Sequence, residues 1–153
     1  MSKSTDPIKV VAKNRKATFD FHIGDRYEAG LVLLGSEVKS VRDGRVSLQE
    51  AFAKFSDDGE LFLMNCHIAE YPWANRNNHE PLRPRKLLLS RKELGKLSQA
   101  ITLAGATIVP LSMYLKNGLL KLEVGVGKGK KLYDKRDDLK KRSAQRDIDR
   151  GQE

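Results

Sequence analysis

The stretch TIVPLSMYLK-NG-LLKLEVGV, Thr107 to Val126, constrains the fold of this chain more than any other. Asn117-Gly118 is a dipeptide that accepts the positive φ of a tight antiparallel turn. Beyond it Leu120, Leu122, Val124 and Val126 fall on one face of a strand. Asp43-Gly44 and Asp58-Gly59 repeat the hairpin signal between other apolar-rich segments. GLVLLGSEVKSVR is expected to be extended, with Val32, Leu34 and Val38 inward. ELFLMNCHI sets Phe62, Met64, Cys66 and Ile68 against Leu61, Leu63, Asn65 and His67. With ATFDFHI near the start, about six strands are expected. DRYEAG reads as a short turn between the first two, and Ser47 to Phe52 is open between helix and strand.

One helix is well marked. Ser90 and Glu93 form a capping box, Leu94, Leu97, Ile101 and Ala104 make an apolar stripe, and Gly105 ends it. Many short antiparallel strands with one or two covering helices predict a mainly β fold, a small closed barrel.

Charge says what such a barrel would meet. The 153 residues carry a net charge of +9 with pI near 9.7, which favours nucleic acid first and a membrane surface second. Residues 127–153 hold ten Lys or Arg against six Asp or Glu, and the body is basic as well. No apolar run approaches the roughly 20 residues of a bilayer span, and the first residues lack the apolar core of a secretory signal. A lone cysteine, Cys66, leaves no intramolecular disulfide and fits a reducing, cytoplasmic setting.

Enzyme chemistry is not legible. Gly125, Gly127 and Gly129 among lysines look like a phosphate loop. Such a loop needs a glycine where Val124 stands and a Ser or Thr where Lys131 stands. His22, His67 and His79 lack metal-ligand spacing. Cys66 and His67 point to opposite faces of one strand, Cys66 reading as a small core residue and His67 as a satisfied barrel residue. Glu28, Glu37 and Glu50 show no acid–base pairing. No catalytic residue, metal or cofactor is expected.

Basic clusters are legible. Lys13 to Lys16 precede the first strand; Lys39, Arg42 and Arg45 surround the first turn; Arg83, Arg85 and Lys86 close a long loop, Pro72 to Arg85, that also carries Trp73 and Arg76; Lys128, Lys130 and Lys131 open the tail. Such side chains give affinity for phosphates. Residues 130–150 contain no Gly or Pro before Arg150 and pair Asp137 with Lys141 and Asp138 with Arg142 at helical spacing. Their apolar content is too low to bury a face, so the free tail is expected to be disordered, with the three glycines as its joint. As a helix it would reach roughly 30 Å. The residues alone therefore predict a basic β-barrel RNA binder with a tail that folds on a partner.

Four motifs add a family. NRKATFDFHI, YEAGLVLLGSEVKSVRDGR, HEPLRPRKLLLSRKEL and GATIVPLSMYLKNGLLKLEVGVGKGKKLYDKR stand in order between about Val11 and Arg142. In these the chain resembles the small protein B family, the SsrA-binding proteins of bacterial ribosome rescue. The resemblance implies an OB-like antiparallel barrel with outer helices. Residues 1–10 would be a flexible leader, 11–126 the RNA-binding barrel, and 127–153 a disordered basic tail, helical on the ribosome.

It further implies a monomer that binds the transfer-RNA-like domain of transfer-messenger RNA (tmRNA), with no membrane and no cofactor. The protein would stand in for the missing anticodon arm while its tail probes the decoding centre and the empty messenger channel of the small subunit. The stalled chain would then be tagged for degradation. Asn14, Glu28 and Leu88 occupy family positions linked to RNA binding, Leu88 by packing the loop's end so that Arg85 and Lys86 point correctly. Arg15, Lys16, Lys39, Arg42, Arg45, Arg83, Arg85 and Lys86 join them as candidate RNA contacts. Lys128, Gly129, Lys130, Lys131, Tyr133, Asp134, Lys135 and Arg136 match the segment used at the decoding centre.

Overall fold

A computed structural model describes residues 8–72 and 78–129. The elements in order are β1 (Ile8–Lys13), α1 (Arg15–Asp20), β2 (Phe21–Leu31), α2 (Gly35–Arg42), β3 (Val46–Ser47), β4 (Phe52–Phe55), β5 (Leu61–Met64), β6 (His67–Ile68), β7 (Arg85–Leu88), α3 (Arg91–Ala104), β8 (Thr107–Lys116) and β9 (Leu119–Gly129). Seven strands hydrogen-bond in the order β1-β8-β4-β5-β7-β2-β9, and β8 pairs with β9 to close the ring. All pairings are antiparallel. The barrel expected from the sequence is present.

Its interior is filled by Ala29, Leu61, Leu63, Cys66, Ile68, Leu87, Ile108, Met113, Leu122 and Val124, with Leu97 of α3 laid on from outside. Ser90 caps α3, its hydroxyl accepting from Glu93 N–H at 3.2 Å, and Gly105 ends the helix at φ 63°. At the β8–β9 turn Asn117 and Gly118 both have positive φ, 53° and 76°, the turn that matches the twist of paired strands. Asp58-Gly59 closes β4–β5 in the same spirit, with Gly59 at φ 81°.

Four local readings give way to the structure. Asp43-Gly44 is a helix stop, not a hairpin: Gly44 (φ 75°) sends its N–H to Val41 O at 2.9 Å, and Arg45 N–H reaches Ser40 O at 3.0 Å. The residues before it form α2. Val41 is buried there, while Val32 and Leu34 remain 46% and 47% exposed. ATFDFHI is split, because Asn14 caps α1 through Ala17 N–H at 3.1 Å and the strand begins only at Phe21. DRYEAG is no turn. It lies within β2, where a register shift between Ile23 and Arg26 absorbs the irregularity.

In ELFLMNCHI the alternation changes phase. Leu61 and Leu63 are buried, Asn65 takes φ 57°, and Cys66 and Ile68 are buried after it, leaving His67 exposed. His67 is therefore a surface residue, and the buried histidine is His79. Gly125 and Gly127 are not a joint but members of β9. A Cβ at Gly125 would lie 2.8 Å from Ile23 Cγ2 and 2.9 Å from Leu111 Cδ1, and one at Gly127 would lie 3.1 Å from Phe21. Those bulky side chains, with Ala17 and Val109, form a second, outer apolar cluster beneath α1.

Candidate nucleic-acid interface

The outer face of the long strands follows from their register. Lys13 stands opposite Ser112, Ser112 opposite Glu123, and Tyr114 opposite Lys121. Across β9, Glu123 faces Glu28 and Lys121 faces Gly30, and Gly30 in turn faces Leu88 on β7. Directly opposed residues share a face, and their sequence neighbours Ala29, Leu122 and Met113 fill the interior. Lys13, Arg26, Glu28, Leu88, Tyr114, Lys116 and Lys121 therefore present outward together. Glu28 and Leu88, predicted from motifs 60 residues apart, are brought onto one surface.

Two depressions mark that surface. One of about 210 Å³ is lined by Lys13, Arg15, Arg26, Ser112 and Glu123. Another of about 380 Å³ lies between Gly30, Leu88 and Leu119, with Arg42 and Lys121 at its sides. Arg42 Nη2 reaches Gly118 O at 3.3 Å, tying the end of α2 to the β8–β9 turn. Leu88 is 49% exposed. It is an apolar wall of the second depression and does not pack the loop's end as expected.

Glu28 is held by its neighbours. The Tyr114 hydroxyl donates to Glu28 Oε2, and Lys116 Nζ lies 3.6 Å from the same oxygen. The Tyr114 bond, then Lys116 and Lys121, hold the Glu28 carboxyl below its ordinary range against the opposing effect of burial. Burial and the Glu28 carboxylate raise Tyr114 in turn. Arg26 pairs with Glu123 at 3.4 Å, not with Glu28.

Other predicted contacts are committed elsewhere. Both amide hydrogens of Asn14 are spent on Leu48 O (3.0 Å) and Pro110 O (2.9 Å), and its oxygen on Ala17 N–H. At 4% exposure it pins α1 to the barrel and has no donor left for a base. Arg85 is fully buried. It donates to Glu37 Oε2 and Cys66 O at 2.6 Å each, to Pro81 O at 3.0 Å and to Glu80 O at 3.3 Å. Arg83 closes on Glu37 Oε1 at 2.6 Å. Burial alone would raise the Glu37 carboxyl, but Arg83, the Leu34 N–H and Arg85 together hold it low.

This is a structural ion cluster that anchors the long loop, because a buried guanidinium must have its donors met. The direct phosphate role expected of Arg85 is corrected accordingly. His79 belongs to the same anchor, with Ser36 Oγ 2.9 Å from Nδ1 and Ile68 O 2.8 Å from Nε2. Burial pushes the Cys66 thiol up to about 11, as for an inert core thiol.

Lys16 and Lys86 are exposed enough to exchange partners but pair with Glu50 (2.8 Å) and Glu60 (3.3 Å). Lys39 sits 5.6 Å over the Tyr71 ring, and Arg45 is exposed. Lys128 and Gly129 lie on β9 opposite His22 and Phe21. Lys130, Lys131, Tyr133, Asp134, Lys135 and Arg136, with Trp73 and Arg76 of the long loop, lie outside the described residues. Sequence reading named Lys13 within a basic cluster but missed Arg26, Tyr114, Lys116 and Lys121, and the surface they make with it. The signal was present, since Tyr114 and Lys116 alternate with the inward Met113. Among the described residues no helix is long and apolar enough to cross a membrane.

Comparison with known proteins agrees in sequence and in fold. The SmpB protein family model matches residues 11–153. An SsrA-binding protein of Geobacillus kaustophilus (strain HTA426) is 56% identical over 142 residues, covering 93% of this chain and 91% of that one. One from Exiguobacterium sibiricum (strain DSM 17290 / CCUG 55495 / CIP 109462 / JCM 13490 / 255-15) is 54% identical over 150 residues, covering 98% and 95%. A chain of the solved structure described as "tmRNA-SmpB: a journey to the center of the bacterial ribosome" superposes with a TM-score of 0.65 at 44% identity, over 78% of this chain and 84% of that one. Matched by the family model over residues 11–153 and more than half identical to these relatives over 93% of its length or more, the chain belongs to the SmpB family.

Proposed function

We propose that this protein is an RNA-binding adaptor of trans-translation, which carries tmRNA to stalled ribosomes and performs no catalysis of its own. The observation that carries the reading is the outer face of β1, β8, β9 and β2. Basic side chains flank two depressions there, Leu88 walls one of them, the Tyr114 ring lies on the same outer face, and one carboxylate is fixed among the cations. Cations give salt-dependent affinity for phosphates, while aromatic and apolar surfaces receive unstacked bases. The relatives named as SsrA-binding proteins, and the solved relative described with tmRNA and the bacterial ribosome, support the same partner.

In this reading residues 11–126 are the grip on the transfer-RNA-like domain and residues 127–153 are the ribosome-facing tail. Glu28, Leu88, Arg15, Arg42, Lys39 and Arg45 touch RNA, and Lys16 and Lys86 exchange Glu50 and Glu60 for phosphates. Asn14, Arg83 and Arg85 serve by holding α1 and the long loop in place. Protein and RNA together fill the outline of a transfer RNA. The tail, with Lys128, Gly129, Lys130, Lys131, Tyr133, Asp134, Lys135 and Arg136, engages the decoding centre and the empty messenger channel, and the nascent chain receives its degradation tag.

The test is binding of labelled tmRNA at stated salt with transfer RNA as competitor, beside a reconstituted tagging assay. Replacing Lys130 and Lys131 with Ala in the full chain is expected to spare RNA affinity and abolish tagging. Equal competition by transfer RNA, or loss of RNA affinity in that variant, overturns the division of labour.

A further inference from the structure

On an otherwise cationic face a carboxylate is the wrong group for phosphate, so Glu28 raises a question that the basic residues do not. Its Oε2 receives the Tyr114 hydroxyl and lies 3.6 Å from Lys116 Nζ, while Oε1 has no partner among the described residues. The carboxylate is thus fixed at one oxygen and open at the other. A carboxylate can only accept hydrogen bonds, and on RNA the donors available to it in place of phosphate are base N–H and amino groups, or a sugar hydroxyl.

We infer that Tyr114 is a positioning residue, which with Lys116 fixes Glu28 so that its free oxygen reads an amino group on an unstacked base of the bound RNA. The inference rests on the RNA-binding function proposed above and assigns a specificity element within it. Tyr114 comes from β8 and Glu28 from β2, with β9 between them, so the bond spans three strands. It fixes the side chain before RNA arrives and lowers the cost of ordering it on binding. The charged or titratable groups around Glu28 are Arg26 on β2, Lys121 and Glu123 on β9, Tyr114 and Lys116 on β8, and Lys13 across Ser112 on β1. Most are cationic, which favours the ionised form that accepts.

The sign of one substitution separates base reading from mere proximity. If Glu28 only lay near phosphates, Glu28→Gln would remove a repulsion and tighten tmRNA binding. As a base reader it weakens binding about 5- to 150-fold. Tyr114→Phe keeps the ring and loses the hydroxyl, and is expected to weaken binding about 3- to 10-fold.

The double variant decides the positioning role. With Glu28→Gln already present, Tyr114→Phe should cost little more, whereas a purely structural tyrosine would cost the same in both backgrounds. Tyr114→Phe also removes the bond that keeps Glu28 ionised, so its binding should begin to fail at a higher pH than wild type as acid is added. Glu28→Gln supplies the baseline for titration of the RNA itself. Unchanged or tighter binding by Glu28→Gln, or additive losses in the cycle, overturns the inference. Failure of the wild-type chain to prefer tmRNA over transfer RNA overturns instead the function on which it rests.

Discussion

Two parts of this molecule carry cationic side chains and use them in opposite ways. Around the long loop, Arg83 and Arg85 converge on Glu37, and Arg85 is wholly enclosed by carbonyls and carboxylate. On the face made by β1, β8, β9 and β2, Lys13, Arg15 and Arg26 line one depression, and Lys121 and Arg42 another. The first group holds a loop to a barrel; the second is open to a polyanion. Charge in a sequence says that a cation is present, and only its partners say whether it is spent.

The largest effect that could break this contrast belongs to Arg85. Arg85→Ala leaves the buried Glu37 with one partner fewer and takes the guanidinium away from the Cys66, Pro81 and Glu80 carbonyls, of which Pro81 O and Glu80 O keep backbone donors from Ile68 and Arg83. Unfolding in urea should show a loss of about 3–5 kcal/mol. A loss under about 1 kcal/mol, the scale of an exposed pair, would place Arg85 with the surface cations after all. Asn14 comes next, since Asn14→Ala removes the α1 cap and the amide's two hydrogen bonds to Leu48 O and Pro110 O. It should cost about 1–3 kcal/mol of stability. Any fall in RNA affinity should track the loss of α1, so a stable variant that no longer bound RNA would make Asn14 a direct contact.

The smallest structural effect sharpens the other side. Lys121→Ala should change stability by under ~0.5 kcal/mol while flattening the slope of log affinity against log salt by roughly 0.7–0.9. An unchanged slope would remove Lys121 from the RNA face.

Legibility in the sequence followed the same division between local and distant causes. Asn117-Gly118, Asp58-Gly59 and the Ser90–Glu93–Gly105 frame of α3 were readable because each device is complete within a few residues. Asp43-Gly44 misled because the same dipeptide that makes a hairpin also makes a helix stop, and which one forms depends on Val41 finding the core. The phase change at Asn65 was invisible, since Asn tolerates positive φ without announcing it.

At the candidate site, Glu28 and Leu88 were named through motifs, and the basic clusters through composition. That Arg85 would be consumed by Glu37, 48 positions away, and Asn14 by Pro110, 96 positions away, is a property of the folded chain. Tyr114 was missed because its partner lies two strands over, though its outward phase could be read from the alternation of β8.

That alternation is itself interrupted once. In β8 Ile108 and Val109 serve different clusters, and the register shift between Pro110 and Ser112 makes Leu111 an extra residue relative to β9. Before it, odd positions face outward; after it, Met113 faces in while Ser112, Tyr114 and Lys116 face out. With Leu111 left out, Pro110, Ser112, Met113 and Tyr114 would alternate in, out, in, out against β9 without a break, and Tyr114 and Lys116 would stay on the outer face. What the inserted residue contributes is local: its side chain joins Val109 and Ala17 in the outer cluster, and its carbonyl accepts the Asn14 N–H at 2.8 Å. β8 therefore carries one residue to spare, and a one-residue deletion there would straighten the strand and loosen α1 while leaving the outer face as it is.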